Sequence, residues 1–515
     1  MNWQIRSRGG DAASDPNFNR ALSMHMAHEV VAADPELIRD AVKFYDVLAE
    51  MMCSLDRDTV QAMPEFFVDD VCSILNFAAT ERGVPSDVLK GVSVKNIFSL
   101  VIRLLSPAHA KTIKNYNLRA RLGDILFHIF LPSECKREED EPQYGEDVPP
   151  TVCCDPATGQ PFLLSSKEAQ DTLAPSLLLL YGEVEHTGPY EKQGFRSRIC
   201  SLLKYLWNSP QHHDAFAKIA QDEDSFVKFA NGVLNETNEL IVVMMEKLPQ
   251  IKHIQDEMKL PEWGTRTQEA QDEVTGRLSE HEQQVKSSLM LCNKTMKMFA
   301  FLSTDEKIAN LFQGQELSQR LVNVLLYVAQ NMLGAKGLEL KVDNPESYYF
   351  KPRELLSDLI AILCCFVDSS TIHDAIANSG YYSDKLLPKL LKTAGKLKII
   401  KDGDDRLSRI IASVETAKNS AEDLDELLKD APNDFLDPLT CEVMMDPVLL
   451  PTSDTVVERS TIQQHLLNDP TDPFNRQPLT LDQVKDAVEL KAKINEWIEE
   501  RREEAAALKM SMETS

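Results

Sequence analysis

A mainly α fold, an elongated stack of helices followed by a small α+β module, is what this sequence predicts. Three observations lead there. Glycine is scarce, 19 of 515 residues, about half the usual share. Long stretches repeat apolar residues with a 3.6-residue period, and no strand-like alternation interrupts them before about residue 430. From there the pattern changes to proline-bearing loops and short β-rich runs.

The elements follow in order. Residues 1–17 are rich in Gly, Ser and Asp and read as a flexible start. From Phe18 to Leu131 successive amphipathic helices follow, with Val68, Val71, Cys72, Leu75 and Phe77 on one stripe and Leu122, Ile125, Leu126 and Ile129 on another. Residues 132–158, with Lys136-Arg-Glu-Glu-Asp-Glu-Pro and Val148-Pro-Pro, form an acidic loop, read as a solvated insertion. Helices resume near Ser166, and the one from Phe226 to Leu248 is expected to end at Pro249. Pro261-Glu-Trp-Gly marks a turn before a long polar helix, and helical patterns continue through Ser288–Phe301, Leu317–Leu333, Pro352–Phe366 and Ser383–Ala394. A last amphipathic helix covers Arg406–Leu428. Recurring helix–turn–helix units of roughly 35–45 residues suit a stacked α-solenoid with degenerate repeats. The helical core is therefore placed at 18–430, a second module at 431–502 and a tail at 503–515.

Composition narrows the function classes. Lys+Arg 55 against Asp+Glu 81 gives 55 − 81 = −26, a charge that opposes non-specific binding to nucleic acid or to anionic membranes. No uncharged apolar run approaches the ~18 residues of a membrane span, and Met1–Gly10 lacks a signal-peptide core. The ten cysteines are scattered without a Cys-x-x-Cys pair. A chain of this length needs no disulfide staples, so a reducing compartment, cytoplasm or nucleus, is expected. His212-His213 and the pairs Cys153-Cys154 and Cys364-Cys365 make poor metal sites, because adjacent helical residues point about 100° apart. No phosphate-binding glycine loop or Gly-x-Ser-x-Gly elbow occurs.

The C-terminal module carries the chemistry. Asp434-Phe-Leu-Asp-Pro-Leu-Thr-Cys-Glu-Val-Met-Met-Asp-Pro is a first loop. Val448–Leu450 and Thr455–Val457 read as a hairpin closed by the four residues Pro451-Thr-Ser-Asp. Ser460 is expected to cap a short helix through His465 and Leu467. Residues 468–478 form a second loop with three prolines, Thr480-x-x-Gln483 is a capping-box signature, and a final helix sets Leu490, Ile494, Trp497 and Ile498 on one face.

Loop, hairpin, helix, loop, helix is the layout of a RING finger, whose two zinc ions need roughly eight Cys or His ligands. Residues 433–502 offer Cys441 and His465 alone, so no zinc cross-brace can be built and no metal or other cofactor is expected. Hydrogen bonds, ion pairs and a small apolar core must hold the loops. Phe435-Leu-Asp-Pro-Leu, Met445-Asp-Pro-Val, Glu458-Arg-Ser-Thr-Ile, His465-Leu-Leu and Thr471-Asp-Pro-Phe-Asn-Arg-Gln-Pro-Leu-Thr resemble the U-box carried by ubiquitin conjugation factors, also called chain-elongation factors. Upstream, Ser225-Phe-Val-Lys-Phe-Ala-Asn, Asn344-Pro-Glu-Ser-Tyr-Tyr-Phe-Lys-Pro, and Thr187-Gly with Leu203-Lys-Tyr-Leu-Trp are similar to that family's helical core, so the likeness spans about residues 45–502.

The resemblance implies an armadillo-like solenoid followed by the U-box. It implies a ubiquitin ligase that binds a ubiquitin-loaded conjugating enzyme and extends polyubiquitin on substrates for proteasomal degradation, with a valosin-containing AAA unfoldase as a further partner. The longer region that such proteins carry before the core is expected to be short or missing here. By resemblance Leu439, Pro473 and Phe474 form the conjugating-enzyme surface, with Cys441 on the first loop and His465 bordering it. Arg476 matches the arginine that bridges conjugating enzyme and ubiquitin, a task suited to a planar, permanently charged five-donor group; an internal brace to Asp472 is the competing role. Asp437, Asp446, Glu458, Arg459 and Asn475 are expected in the network that replaces zinc. Two other readings stay open: a ligase forming a thioester on its own cysteine, and a non-catalytic scaffold or co-chaperone that recruits quality-control partners.

Overall fold

The computed structural model describes residues 16–80, 84–85, 87–132, 135, 154, 159–219, 221–334, 340, 342–401, 403–468 and 470–513. The fold is mainly α with one small sheet, and the chain divides into two compact units, up to residue 411 and from 412 onward. The acidic loop expected at 132–158 lies almost wholly outside the described residues, as does the expected flexible start up to residue 15.

The first unit is built from α1 (Pro16–Ala32), α2 (Pro35–Ser54), α3 (Phe66–Thr80), α4 (Lys95–Leu105), α5 (Tyr116–Ile125), α6 (Lys167–Glu183), α7 (Pro189–Trp207), α8 (Glu223–Met258), α9 (Gln268–Leu302), α10 (Gln315–Leu333), α11 (Pro352–Cys365), α12 (Ser370–Ala377) and α13 (Leu386–Lys396), with short helical turns between them. Local chemistry starts many of these. Asp34, Asn115, Ser166, Asp222 and Ser369 accept amide hydrogen bonds as N-caps, and Pro35, Pro189 and Pro352 sit in first turns, where their missing N–H costs nothing.

Stacking is regular. α8 packs along α9, α8 also meets α10, α9 meets both α7 and α11, and α10 meets α12. These helices thus bury their apolar faces on neighbours one and two places away, as the repeating units require. Leu240, Ile241, Met244, Leu291, Met298 and Phe299 are among the residues closed off in this way.

One helix end differs from expectation. α8 runs through Pro249 to Met258. Proline removes one backbone hydrogen bond, but Leu248, Ile251 and Ile254 are all buried, and that burial on both sides of Pro249 carries the helix past it.

Two buried arginines of this unit are paired with carboxylates. Arg119 is fully buried and donates to Glu183 at 2.7 Å and to the Leu104 carbonyl at 2.9 Å. Arg196 lies 2.5 Å from Glu236 and bonds Glu185 at 2.8 Å, while the Tyr181 hydroxyl donates to the other Glu236 oxygen at 2.7 Å. Burial first, and then the neighbouring groups including Glu236, hold the Tyr181 phenol well above its ordinary range.

The second unit begins within α14 (Arg406–Leu428), the helix expected at the end of the core. It continues with β1 (Pro447–Leu450), β2 (Thr455–Glu458), α15 (Arg459–Asn468), β3 (Lys485–Asp486) and α16 (Val488–Glu513). β1 and β2 pair antiparallel with Val448 opposite Val457, closed by the four residues 451–454. β3, absent from the sequence reading, adds to the other edge of β1 in the order β2-β1-β3. It is two exposed residues, Lys485 and Asp486, and too short to show alternation. α15 starts at Arg459, directly after β2, so Ser460 lies inside its first turn and is not the cap. Thr480 and Gln483 do form a reciprocal capping box. The expected tail from 503 continues α16 as helix through Glu513.

Period-two alternation splits the small core between the two faces of the sheet. On one face Val448, Leu450 and Val457 pack with Ile462 of α15 and with Leu479. On the other, Val456 packs against a cluster of Met444, Ile494 and Ile498, which Leu428, Phe435 and Trp497 also cover. Among the described residues no helix is long and apolar enough to cross a membrane.

Candidate functional site

Two loops of the C-terminal unit share one backbone design. In loop 1 the buried Asp437 receives the Leu439 amide on Oδ1 at 2.7 Å, its own amide donates to the Glu442 carbonyl at 2.7 Å, and its carbonyl accepts from the Cys441 amide at 2.7 Å. In loop 2 the buried Asp472 receives the Phe474 amide on Oδ1 at 2.8 Å, donates to the Gln477 carbonyl at 2.8 Å and accepts from the Arg476 amide at 2.8 Å. The residue four places after each aspartate is left-handed, Cys441 at φ 61° and Arg476 at φ 59°. Thr440 and Asn475 each accept the amide two residues on, at 3.4 and 2.9 Å. Single bridges, Leu436 to Val443 and Thr471 to Pro478, close the two loops at their bases.

This geometry follows from Asp-Pro-apolar. A short carboxylate accepts the amide two residues on, which is an Asx turn, and proline pre-sets the φ of the residue between. The apolar residue is turned outward. Leu439 and Phe474 are each 41 % exposed, large side chains kept out of a core only a few residues away. Pro473 is half-buried and Cys441 exposed.

Arg476 is exposed, and among the described residues its guanidinium has no hydrogen-bond or ion-pair partner. The brace to the Asp472 carboxylate, weighed from sequence, is not formed: that carboxylate is taken by the Phe474 amide and the Thr452 hydroxyl. Burial pushes the Asp472 carboxyl up, but the bonds it accepts, the Thr452 hydroxyl first, outweigh this and hold it below its ordinary value.

His465 is half-buried on α15 and its Nε2 donates to the Thr471 carbonyl at 2.9 Å. It ties the short helix to the base of loop 2.

The polar network falls into two clusters. In the first, Asp437 Oδ2 accepts the Glu458 amide at 2.8 Å, and the Glu458 carboxylate accepts the Asp446 amide at 2.9 Å. Asp446 receives Arg459 Nε at 2.6 Å and Lys491 Nζ at 2.6 Å, and Arg459 also reaches Asp486 of β3. Bonds from Lys491 and then Arg459 hold the Asp446 carboxyl below its ordinary value. Four of the five expected network residues, Asp437, Asp446, Glu458 and Arg459, thus join loop 1, the hairpin, β3 and α16. The fifth, Asn475, belongs to the second cluster, where its Nδ2 donates to the Thr452 carbonyl at 2.7 Å. Thr452 and Asp472 were the residues missed. The doubled Asp-Pro-apolar motif at 437–439 and 472–474 was the available signal for Asp472; nothing local marked Thr452.

Among the described residues no group of three or more His, Cys, Asp or Glu is placed to hold a metal ion.

Residues 12–415 match the family model described as ubiquitin elongating factor core, and residues 431–503 match the U-box domain model. The chain is 29 % identical over 503 residues to an Arabidopsis thaliana protein named probable ubiquitin conjugation factor E4, covering 92 % of this chain and 45 % of that one. It is 33 % identical over 341 residues to the Saccharomyces cerevisiae protein named E4 ubiquitin-protein ligase UFD2, covering 64 % of this chain and 35 % of that one. To the Bos taurus protein named ubiquitin conjugation factor E4 A it is 25 % identical, over 98 % of this chain and 49 % of that one. The chain spans about half the length, or less, of the curated relatives it matches.

Proposed function

The chain belongs to the ubiquitin elongating factor core family and carries a U-box domain, and from that premise we propose that it is a ubiquitin ligase that extends polyubiquitin by docking a ubiquitin-loaded conjugating enzyme. One observation carries the reading: twin loops turn Leu439 and Phe474 outward, and loop 2 also presents the unengaged guanidinium of Arg476.

Leu439, Pro473 and Phe474 supply apolar contact to the conjugating enzyme, with Cys441 beside Leu439 and His465 steadying loop 2 from behind. Arg476 donates to carbonyls of conjugating enzyme and ubiquitin at once, which fixes the ubiquitin tail. The acceptor lysine's amine then attacks the thioester carbonyl. A C–N bond forms, the C–S bond breaks, the conjugating enzyme's cysteine leaves as thiolate, and the proton lost by the amine passes to solvent. The ligase contributes orientation and takes no covalent part. A charge-assisted hydrogen bond is worth about 1.5–3 kcal/mol, which sets the expected contribution of Arg476 at roughly ten- to a hundred-fold in rate.

Support for the wider reading comes from the likeness of the helical core to its family. On that basis the stacked helices hold the substrate, an AAA unfoldase of the valosin-containing class is a partner, the products go to the proteasome, and the protein works in the cytoplasm or nucleus.

The test uses the whole chain with ubiquitin, activating enzyme and a purified conjugating enzyme. Phe474→Ala is expected to weaken conjugating-enzyme binding. Arg476→Ala is expected to leave binding within about three-fold while slowing chain growth roughly ten- to a hundred-fold. Unchanged chain growth in both variants overturns the ligase reading in favour of a scaffold.

A further inference from the structure

The two loops match in backbone, but they differ in what holds the second oxygen of their aspartates. Asp437 Oδ2 in loop 1 is held by the Glu458 amide at 2.8 Å, a backbone donor set by the end of β2. Asp472 Oδ2 in loop 2 is held by a side chain, the Thr452 hydroxyl, which comes from the hairpin turn. The Thr452 carbonyl also accepts from Asn475 Nδ2 at 2.7 Å. One turn residue therefore grips loop 2 at 472 and at 475, on the N-terminal side of Arg476.

Arg476 needs that grip. Its φ of 59° is a conformation that a side chain with a Cβ keeps only where surrounding bonds over-determine it. The Arg476 amide bond to the Asp472 carbonyl, 2.8 Å, is one of these bonds, and Thr452 fixes its acceptor residue, Asp472, together with Asn475, the residue that precedes Arg476. Phe474 is oriented differently, by its amide on the other oxygen, Oδ1, which Thr452 does not touch.

We propose that Thr452 is a positioning residue for Arg476: its hydroxyl and carbonyl lock the left-handed backbone that aims the guanidinium, and it acts on ubiquitin transfer and not on conjugating-enzyme docking. The assignment rests on the ligase reading above. It also assigns the second Asp472 oxygen a task that has no counterpart in loop 1, where Cys441 takes the place of Arg476.

The experiment uses the whole chain and two readouts. One is affinity for an uncharged conjugating enzyme that supports wild-type chain growth. The other is discharge of that enzyme's ubiquitin thioester to free lysine at saturating ligase. Thr452→Val is expected to slow discharge roughly ten-fold while affinity stays within about three-fold. Thr452→Ser, which restores the hydroxyl, is expected to recover discharge. In an Arg476→Ala background Thr452→Val is expected to add less than about two-fold, because its effect runs through Arg476. Should Thr452→Val fail to fold by thermal melting, Asn475→Ala, which removes the other bond to Thr452, takes its place with the same expectations. Equal losses in affinity and discharge, an undiminished loss in the Arg476→Ala background, or unchanged discharge each overturn the positioning role. If Arg476→Ala itself leaves discharge unchanged, the ligase reading beneath it falls as well.

Discussion

Asp437 and Asp472 occupy one position in two copies of the same loop, each buried and each receiving the amide two residues on, at 2.7 and 2.8 Å. Two carboxylates thus organise the surfaces on which Leu439 and Phe474 stand.

Removing either carboxylate orphans part-buried donors. Asp437→Ala strips partners from the Leu439 and Glu458 amides, and each unsatisfied buried group costs about 1–3 kcal/mol. The urea midpoint of the C-terminal unit is expected to fall accordingly. Asp472→Ala is expected to fall less, since the Thr452 hydroxyl can turn to water while a backbone amide cannot.

Leu439 and Phe474 behave in the opposite way. Both are 41 % exposed, so truncation to alanine is expected to leave the melting temperature of the unit nearly unchanged. Affinity for the conjugating enzyme is expected to drop by about 2 kcal/mol or more at each, roughly thirty-fold in Kd, measured by titration with the uncharged enzyme.

Acid weakens the C-terminal unit through Asp446. Its folded pKa lies below the ordinary 3.8, because Lys491 and Arg459 donate to it. A carboxylate shifted in this direction contributes stability that is present above the unfolded value and lost as pH falls through the folded one. Urea midpoints are expected to decline below about pH 4. Asp446→Asn is expected to flatten part of that slope; Asp472, which is shifted the same way, adds to it.

Arg196 and Glu236 test the helical unit. Both are buried and lie 2.5 Å apart. Arg196→Ala leaves Glu236 with the Tyr181 hydroxyl as its remaining partner, and breaking a buried pair on one side costs about 3–5 kcal/mol. The double replacement Arg196→Met with Glu236→Leu is expected to recover much of the loss. Denaturant unfolding of the N-terminal unit checks both.

Much of the fold could be read from the chain because its causes are local. α14 spans Arg406–Leu428, the range its periodicity marked, and the four-residue turn between β1 and β2 stands where Pro451-Thr-Ser-Asp was read. Where the reading failed, distant contacts decided. Pro249 lies inside α8 because Leu248, Ile251 and Ile254 are buried around it. β3 is too short to have a pattern and exists by pairing with β1.

The candidate site divides along the same line. Sequence alone determined which residue types are present: too few Cys and His for a zinc cross-brace, and acids and bases enough to replace a metal. Those are matters of composition, whereas Leu439, Phe474 and Arg476 were marked by resemblance and turned outward only by the fold. Only the tertiary structure decided the partners. It sent Asp446 to Arg459 and Lys491, gave Asp472 to Thr452 and so left Arg476 unengaged, and set Cys441 and Arg476 in left-handed conformations. Hydrogen bonds between groups far apart in the chain depend on where the hairpin and loops meet in space, and no local propensity carries that information.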